Sequence, residues 1–126
     1  MADERTDDEK IGAILEREDR YRRDAYRFVQ EALEFTRRQL GRRGHVTVRE
    51  LSEGVRDLAR ERYGLMARTV LSHWGVNSTH DVGELVFNMI QEKVMVKDDS
   101  DRLEDFDNVY DFETAFQKDF QIDPDG

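Results

Sequence analysis

The apolar positions of this chain recur mostly every three or four residues, the spacing of amphipathic helices. The clearest case covers residues 22–40. There Ala25, Tyr26, Val29, Ala32, Leu33, Thr36 and Leu40 fall on one face, widened by Phe28 and Phe35. Gly41 follows as a natural stop, because a helix ends readily on a residue that accepts a left-handed backbone. A shorter helix is predicted over residues 9–18, with Ile11, Ile14 and Leu15 on one side. Residues 1–8 are polar, charged and aperiodic, and are expected to be a disordered acidic N-terminus.

Thr47 and Glu50 have the spacing of a capping box, in which the Thr side chain and the N3 carboxylate each satisfy a free backbone N–H. They open a third helix to about Tyr63, with Val48, Leu51, Val55, Leu58 and Ala59 inward and Gly64 beyond it. A fourth, over residues 65–74, places Met66, Val70, Leu71 and Trp74 together. Residues 77–81 are rich in cap formers. The fifth helix follows to about Lys93, with Val82, Leu85, Val86, Met89 and Ile90 inward. After it, Val94, Met95 and Val96 read as a strand, 97–107 as an acidic loop, and Asn108, Val109 and Tyr110 as a returning strand. Phe112, Ala115 and Phe116 suit a final turn of helix. The expected fold is mainly α, a compact bundle of about five helices with a small C-terminal β-hairpin, an order that also fits a winged helix-turn-helix. It forms one domain over 9–120, with 121–126 a frayed tail.

With the segments placed, the chain resembles a conserved hypothetical family shared by planctomycete and verrucomicrobial bacteria. The likeness is carried by Ala25-Tyr26-Arg27-Phe28-Val29, Glu31-Ala32-Leu33, His45-Val46-Thr47 and Glu53-Gly54. It continues through Trp74-Gly75-Val76, Val86-Phe87-Asn88-Met89, Asp105-Phe106 and Tyr110-Asp111-Phe112 to Ala115-Phe116. It runs over about residues 9–118, and the ordered set makes the match. The family carries no assigned activity, so the resemblance implies one intact domain and a bacterial cytosolic setting and transfers no mechanism.

Charge divides the chain of 126 residues, whose formal net charge is −9. Residues 1–18 are net −4, residues 19–75 net +5 with Arg as their only basic type, and residues 76–126 net −10. Arg37, Arg38, Arg42, Arg43, His45 and Arg49 cluster about a loop bracketed by Gly41 and Gly44. Guanidinium groups grip phosphate and stack on bases, so this cluster is the candidate contact for nucleic acid or for a protein partner. Three features count against nucleic acid. The chain is acidic, the fifth helix carries Asp81, Glu84 and Glu92 against Lys93, and the acidic C-terminal part offers the arginines internal partners. Phe116 and Phe120 form a candidate aromatic patch if they remain at the surface.

Catalytic chemistry has little to stand on. The chain has no Cys, and its serines sit in no nucleophile motif. Its glycines form no phosphate-cradling loop. His80 and Glu84, four apart, supply too few ligands for zinc beside Asp81, and read better as cap residues. The acidic loop fails the EF-hand pattern: counted from Asp99, the position that needs Gly holds Glu104. No catalytic residue, cofactor or metal is therefore expected. No apolar run reaches the roughly 18 residues of a membrane span, and a cytoplasmic setting is expected. The sequence points first to a non-catalytic protein-interaction or regulatory module, with self-association through opposite charge also open to it. The alternative is an RNA- or DNA-binding protein using the Arg-rich middle, and the second alternative an enzyme with an unrecognised site.

Overall fold

The computed structural model describes residues 2–41, 44–96, 98 and 101–117. Arg42, Arg43, Phe120 and the 121–126 tail lie outside the described residues.

Helix α1, Asp7–Arg17, starts two residues earlier than its apolar spacing suggests, because Thr6 and Glu9 form a reciprocal capping box. The Thr6 hydroxyl accepts from Glu9 N at 3.1 Å and the Glu9 carboxylate accepts from Thr6 N at 3.0 Å. Ile11 and Ile14 enter the core, and Lys10 buries its stem while Nζ donates to the Lys93 carbonyl at 3.1 Å.

Helix α2, Arg23–Leu40, buries Ala25, Tyr26, Phe28, Val29, Ala32 and Thr36 and ends on Gly41 at φ 66°. Helix α3, Val48–Tyr63, opens with the expected Thr47–Glu50 capping box. It packs along α2 with Leu51, Val55, Leu58 and Ala59 inward. A 3₁₀ turn, Gly64–Met66, leads into α4, Ala67–His73. At its end Trp74 is half-buried, 5.5 Å from the Phe28 ring and 5.8 Å from Tyr63. Helix α5, Thr79–Gln91, capped by Ser78, packs against α2 and α1. It joins one continuous core with Val82, Leu85, Val86 and Met89.

One buried polar contact joins the turn before α2 to the first turn of α5. Asp81 is 5% exposed, accepting from Tyr21 Oη at 2.6 Å and from Asn77 N at 2.8 Å. Burial, and then the Asp81 carboxylate, push the Tyr21 phenol well above its usual value. Both carboxylate oxygens are satisfied, and Arg20 approaches Oδ1 at 3.7 Å from the solvent side.

The expected C-terminal hairpin is not found, and with it goes the wing of a winged helix. No strand occurs among the described residues. Instead, Lys93 takes φ 66°, Lys93 N donates to the Ile90 carbonyl at 3.0 Å, and Val94 N donates to the Met89 carbonyl at 2.7 Å. This is a Schellman ending, which folds the backbone of Val94 and Met95 back over the helix end. The chain then makes a 3₁₀ turn, Leu103–Phe106, and a single helical turn, α6, Phe112–Ala115. Side-chain bonds bind this segment to the bundle. Val109 N donates to Thr79 Oγ1 at 3.2 Å, Tyr110 Oη to the Ser52 carbonyl at 2.7 Å, and Arg60 Nε to the Ala115 carbonyl at 2.9 Å. Phe116 is buried, its ring 5.1 Å from Phe112, so it belongs to the core and not to a surface patch.

Candidate functional site

A groove of about 610 Å³ opens where α2, α3 and α5 meet residues 44–46, 94–96, 98 and 101. Its floor is aliphatic. Leu33 comes from α2, Val48 and Leu51 from α3, and Val86 and Ile90 from α5. Val46, Val94 and Met95 complete it from the loops, with Phe106 beneath. Val96, 97% exposed, stands at its mouth. The Schellman ending of α5 makes this wall: it turns Val94, Met95 and Val96 out of the helix and along the groove. An apolar floor with a few polar groups at the edge is the general form of a binding site, and the volume falls in the usual range.

The rim is charged. Asp7 accepts from Gln30 Nε2 at 3.1 Å, and Arg37 Nη1 meets Glu34 Oε1 at 2.7 Å. Arg37 Nε is buried and has no hydrogen-bond partner among the described residues. On the opposite lip, His45 Nδ1 lies 3.5 Å from Asp98 Oδ2 and Nε2 lies 3.9 Å from Asp101 Oδ1. One ligand atom from each of these three residues falls within 4.8 Å of the others. That spacing suits a cation, and equally suits a histidine paired with carboxylates in a partly exposed loop.

The candidate contact residues do not form one surface. Arg37 and His45 line the groove. Arg38 faces a shallower depression with Arg27, Glu31, Leu58 and Arg62. Arg49, exposed on the first turn of α3 and 3.4 Å from Glu53, lines a second depression that His45 and Asp101 share. Several other arginines hold carboxylates, while Arg22 and Arg60 bond backbone carbonyls. Arg20 meets Glu84 at 3.3 Å and Asp81 at 3.7 Å, Arg23 and Arg27 converge on Asp8, and Arg62 reaches Glu31. These clasps tie α1 to α2 and α2 to α3. The groove wall at 94–96 and the approach of Asp98 and Asp101 to His45 were missed at the level of sequence. The apolar triplet between a helix and an acidic loop was the available signal.

His80 sits apart from the groove, between two carboxylates. Its Nε2 is 2.9 Å from Glu84 Oε1, and Nδ1 bonds Asp107. Glu84 is also held by Arg20. The Asp107 hydrogen bond, outweighing a small burial effect, raises the imidazole above its usual 6.5. A raised value means that the folded chain holds this proton more tightly than the unfolded chain. The clasp therefore adds stability below about pH 6.5, and the addition fades as pH climbs through the raised value. His80→Gln is expected to cost about 0.5–1 kcal/mol near pH 5.5, the scale of exposed ion pairs, and close to nothing near pH 9. Urea midpoints of both proteins at the two pH values check this, and an equal gap at both would refute it.

No helix among the described residues is long and apolar enough to cross a membrane. No family model, curated protein or solved structure matches the chain.

Proposed function

We propose that the chain is a non-catalytic protein-interaction module whose groove between α2, α3 and α5 receives an apolar segment of a partner protein. The observation that carries this reading is the groove itself, an aliphatic floor rimmed by charge with Val96 exposed at its mouth. Beside Val96 the half-buried Leu33, Val48, Ile90, Val94 and Met95 line one concave apolar surface, the form a binding site takes. Nucleic acid fits less well, because Arg20, Arg23, Arg27, Arg37, Arg49 and Arg62 already hold carboxylates. A bacterial cytosolic setting, and membership of the family the sequence resembles, belong to the same proposal.

Photo-crosslinking tests it. With p-benzoylphenylalanine at Val96, irradiation in cells is expected to give discrete protein adducts. The same probe at Gln39, exposed near the end of α2, should give none of them. A second substitution, Ile90→Glu in the floor, should abolish the Val96 adducts. Identical adducts at both positions would reject the groove as the contact. Adducts that vanish on nuclease treatment would transfer the reading to the Arg-rich region.

A further inference from the structure

We infer that residues 101–108 form a strap at the base of the groove, latched by protonated His80 and loosened when that proton leaves. The latch goes beyond the docking reading, because it acts on the strap whether or not a partner is bound.

The His80 ring, on the first turn of α5, has a carboxylate at each nitrogen. Glu84 stands at Nε2, 2.9 Å away, and Asp107 at Nδ1. An imidazolium donates from both nitrogens, whereas a neutral ring carries one N–H and turns a lone pair toward the second carboxylate. Only the protonated ring holds both. In either neutral tautomer the tie to Asp107 weakens: the bond is lost, or it persists without the cation's charge, at about half the strength. The two carboxylates feel this loss differently. Glu84 keeps Arg20 at 3.3 Å. Asp107 has no other side-chain partner among the described residues. The loosening therefore falls on Asp107, the residue that ends the 3₁₀ turn Leu103–Phe106.

The strap has a bend at which to move. Asn108 lies at φ 54°, a left-handed conformation that Asn accepts more readily than most residues. Beyond it, Val109 N on Thr79 Oγ1 and Tyr110 Oη on the Ser52 carbonyl hold the chain to the bundle. Before it, Phe106 and Asp101 both line the groove. A loosened Asp107 thus frees the residues that build the groove's base, which makes the His80 proton a regulator of that site. Phe106, buried against Gly83, still seats the strap most of the time, so the change is a rise in opening and not detachment.

The other charged or titratable groups about the ring are few. Asp81 lies behind it on α5, taken by Tyr21, Asn77 and Arg20. Tyr110 and Asp111 line the same depression as His80. Burial pushes the Tyr110 phenol further up, and Asp111 caps α6 through Thr114. Of these side-chain types, histidine is the one that ordinarily titrates between pH 5 and 8.

Pulsed amide exchange on the full chain at pH 5.5 and pH 9, corrected for the intrinsic base-catalysed rate, tests this. The opening of residues 103–108 should rise about two- to fivefold between the two, the weight of one exposed charged pair. Amides of α2 and α3 should show no such step. His80→Gln and Asp107→Asn should each abolish the step and stay at the high-pH level. His45 is the other imidazole beside the strap, with Nε2 3.9 Å from Asp101, so the step must survive His45→Gln. Equal opening at both pH values in the unsubstituted chain would overturn the inference. So would a step that persists in Asp107→Asn, vanishes in His45→Gln, or spreads over α2 and α3. None of these results touches the docking reading, which the Val96 crosslinks decide.

Discussion

Gly54→Ala is expected to destabilise the protein by about 2 kcal/mol, although alanine is the better helix former by about 1 kcal/mol. Gly54 is in the middle of α3 and lies against Thr36 and Ala32 of α2. A Cβ at this position would stand 1.8 Å from Thr36 Oγ1, 3.2 Å from Thr36 Cβ and 3.5 Å from the Ala32 carbonyl. The first distance is impossible, so Thr36 must turn. Its hydroxyl donates to the Ala32 carbonyl at 2.7 Å in a buried place, and turning it breaks that bond. A β-branched residue on a helix has few other rotamers to go to. Even after turning, Cβ meets Cβ more tightly than packed side chains tolerate, so the helices must also separate slightly. Overpacking of this kind outweighs the propensity gain.

The partner substitution separates this account from a general intolerance. Thr36→Ala removes the colliding oxygen and leaves the 3.2 Å contact with Cβ and an ordinary one with the Ala32 carbonyl. Thr36→Ala/Gly54→Ala should therefore recover most of the loss, with a coupling energy of about 1 kcal/mol or more across the double-mutant cycle. Chemical denaturation of the four proteins measures it. Strict additivity would show that the α2–α3 contact is not where Gly54 acts.

The helices were legible in the sequence because burial and period coincide there. Tyr26, Val29, Ala32 and Thr36 fall on the face that the spacing indicated, and all are buried. The start of α1 was also written in the chain, since Thr6 and Glu9 have the capping-box spacing. The polarity of residues 1–8 hid it, because a first turn of Asp7 and Asp8 is as polar as a disordered tail while favouring a helix N-terminus. The hairpin was misread for a different reason. Val94, Met95 and Val96 have strand composition, but a strand needs a partner, and Lys93 at a left-handed φ turns the chain back over α5 before one can form. Glycine usually marks that position, and lysine gives no warning. Of the candidate site, Arg37 and His45 belong to the groove, Arg38 lines a separate depression, and Arg49 shares a neighbouring one with His45. Linear proximity cannot tell these apart, because successive residues on a helix point about 100° apart. Asp98 and Asp101 lie more than 50 residues from His45 and meet it only through the fold.

Phe106→Ala should have a larger effect, about 3–5 kcal/mol, the usual cost of emptying a buried aromatic site. Phe106 is 2% exposed and is the side chain by which the 3₁₀ turn after α5 enters the bundle. Its ring lies edge-on to Phe87 at 6.4 Å, and its Cβ, Cγ and Cδ2 come so near Gly83 that a Cβ there would be 2.7–2.8 Å away. Glycine at 83 is thus the seat of the ring, and α5 carries a notch where a side chain would otherwise stand. Tyr110 holds the end of this stretch, stacked on Phe112 and bonded to the Ser52 carbonyl, and the other ties are polar, such as Val109 N to Thr79 and His80 to Asp107. Single hydrogen bonds and exposed ion pairs of this sort are individually weak. Without the ring, residues 101–108 should open before the helices do, so their amide protons should exchange early while those of α2 and α3 stay protected. Gly83→Ala should produce the same early opening from the other side of the contact, because the added methyl expels the ring instead of removing it. Phe106→Ala should not rescue Gly83→Ala, since the Cβ of residue 106 survives that substitution and still collides. Hydrogen exchange on the two single variants and the double variant decides the matter. Uniform loss of protection across α2, α3 and residues 101–108 would mean that Phe106 supports the whole bundle and not the docking of one segment.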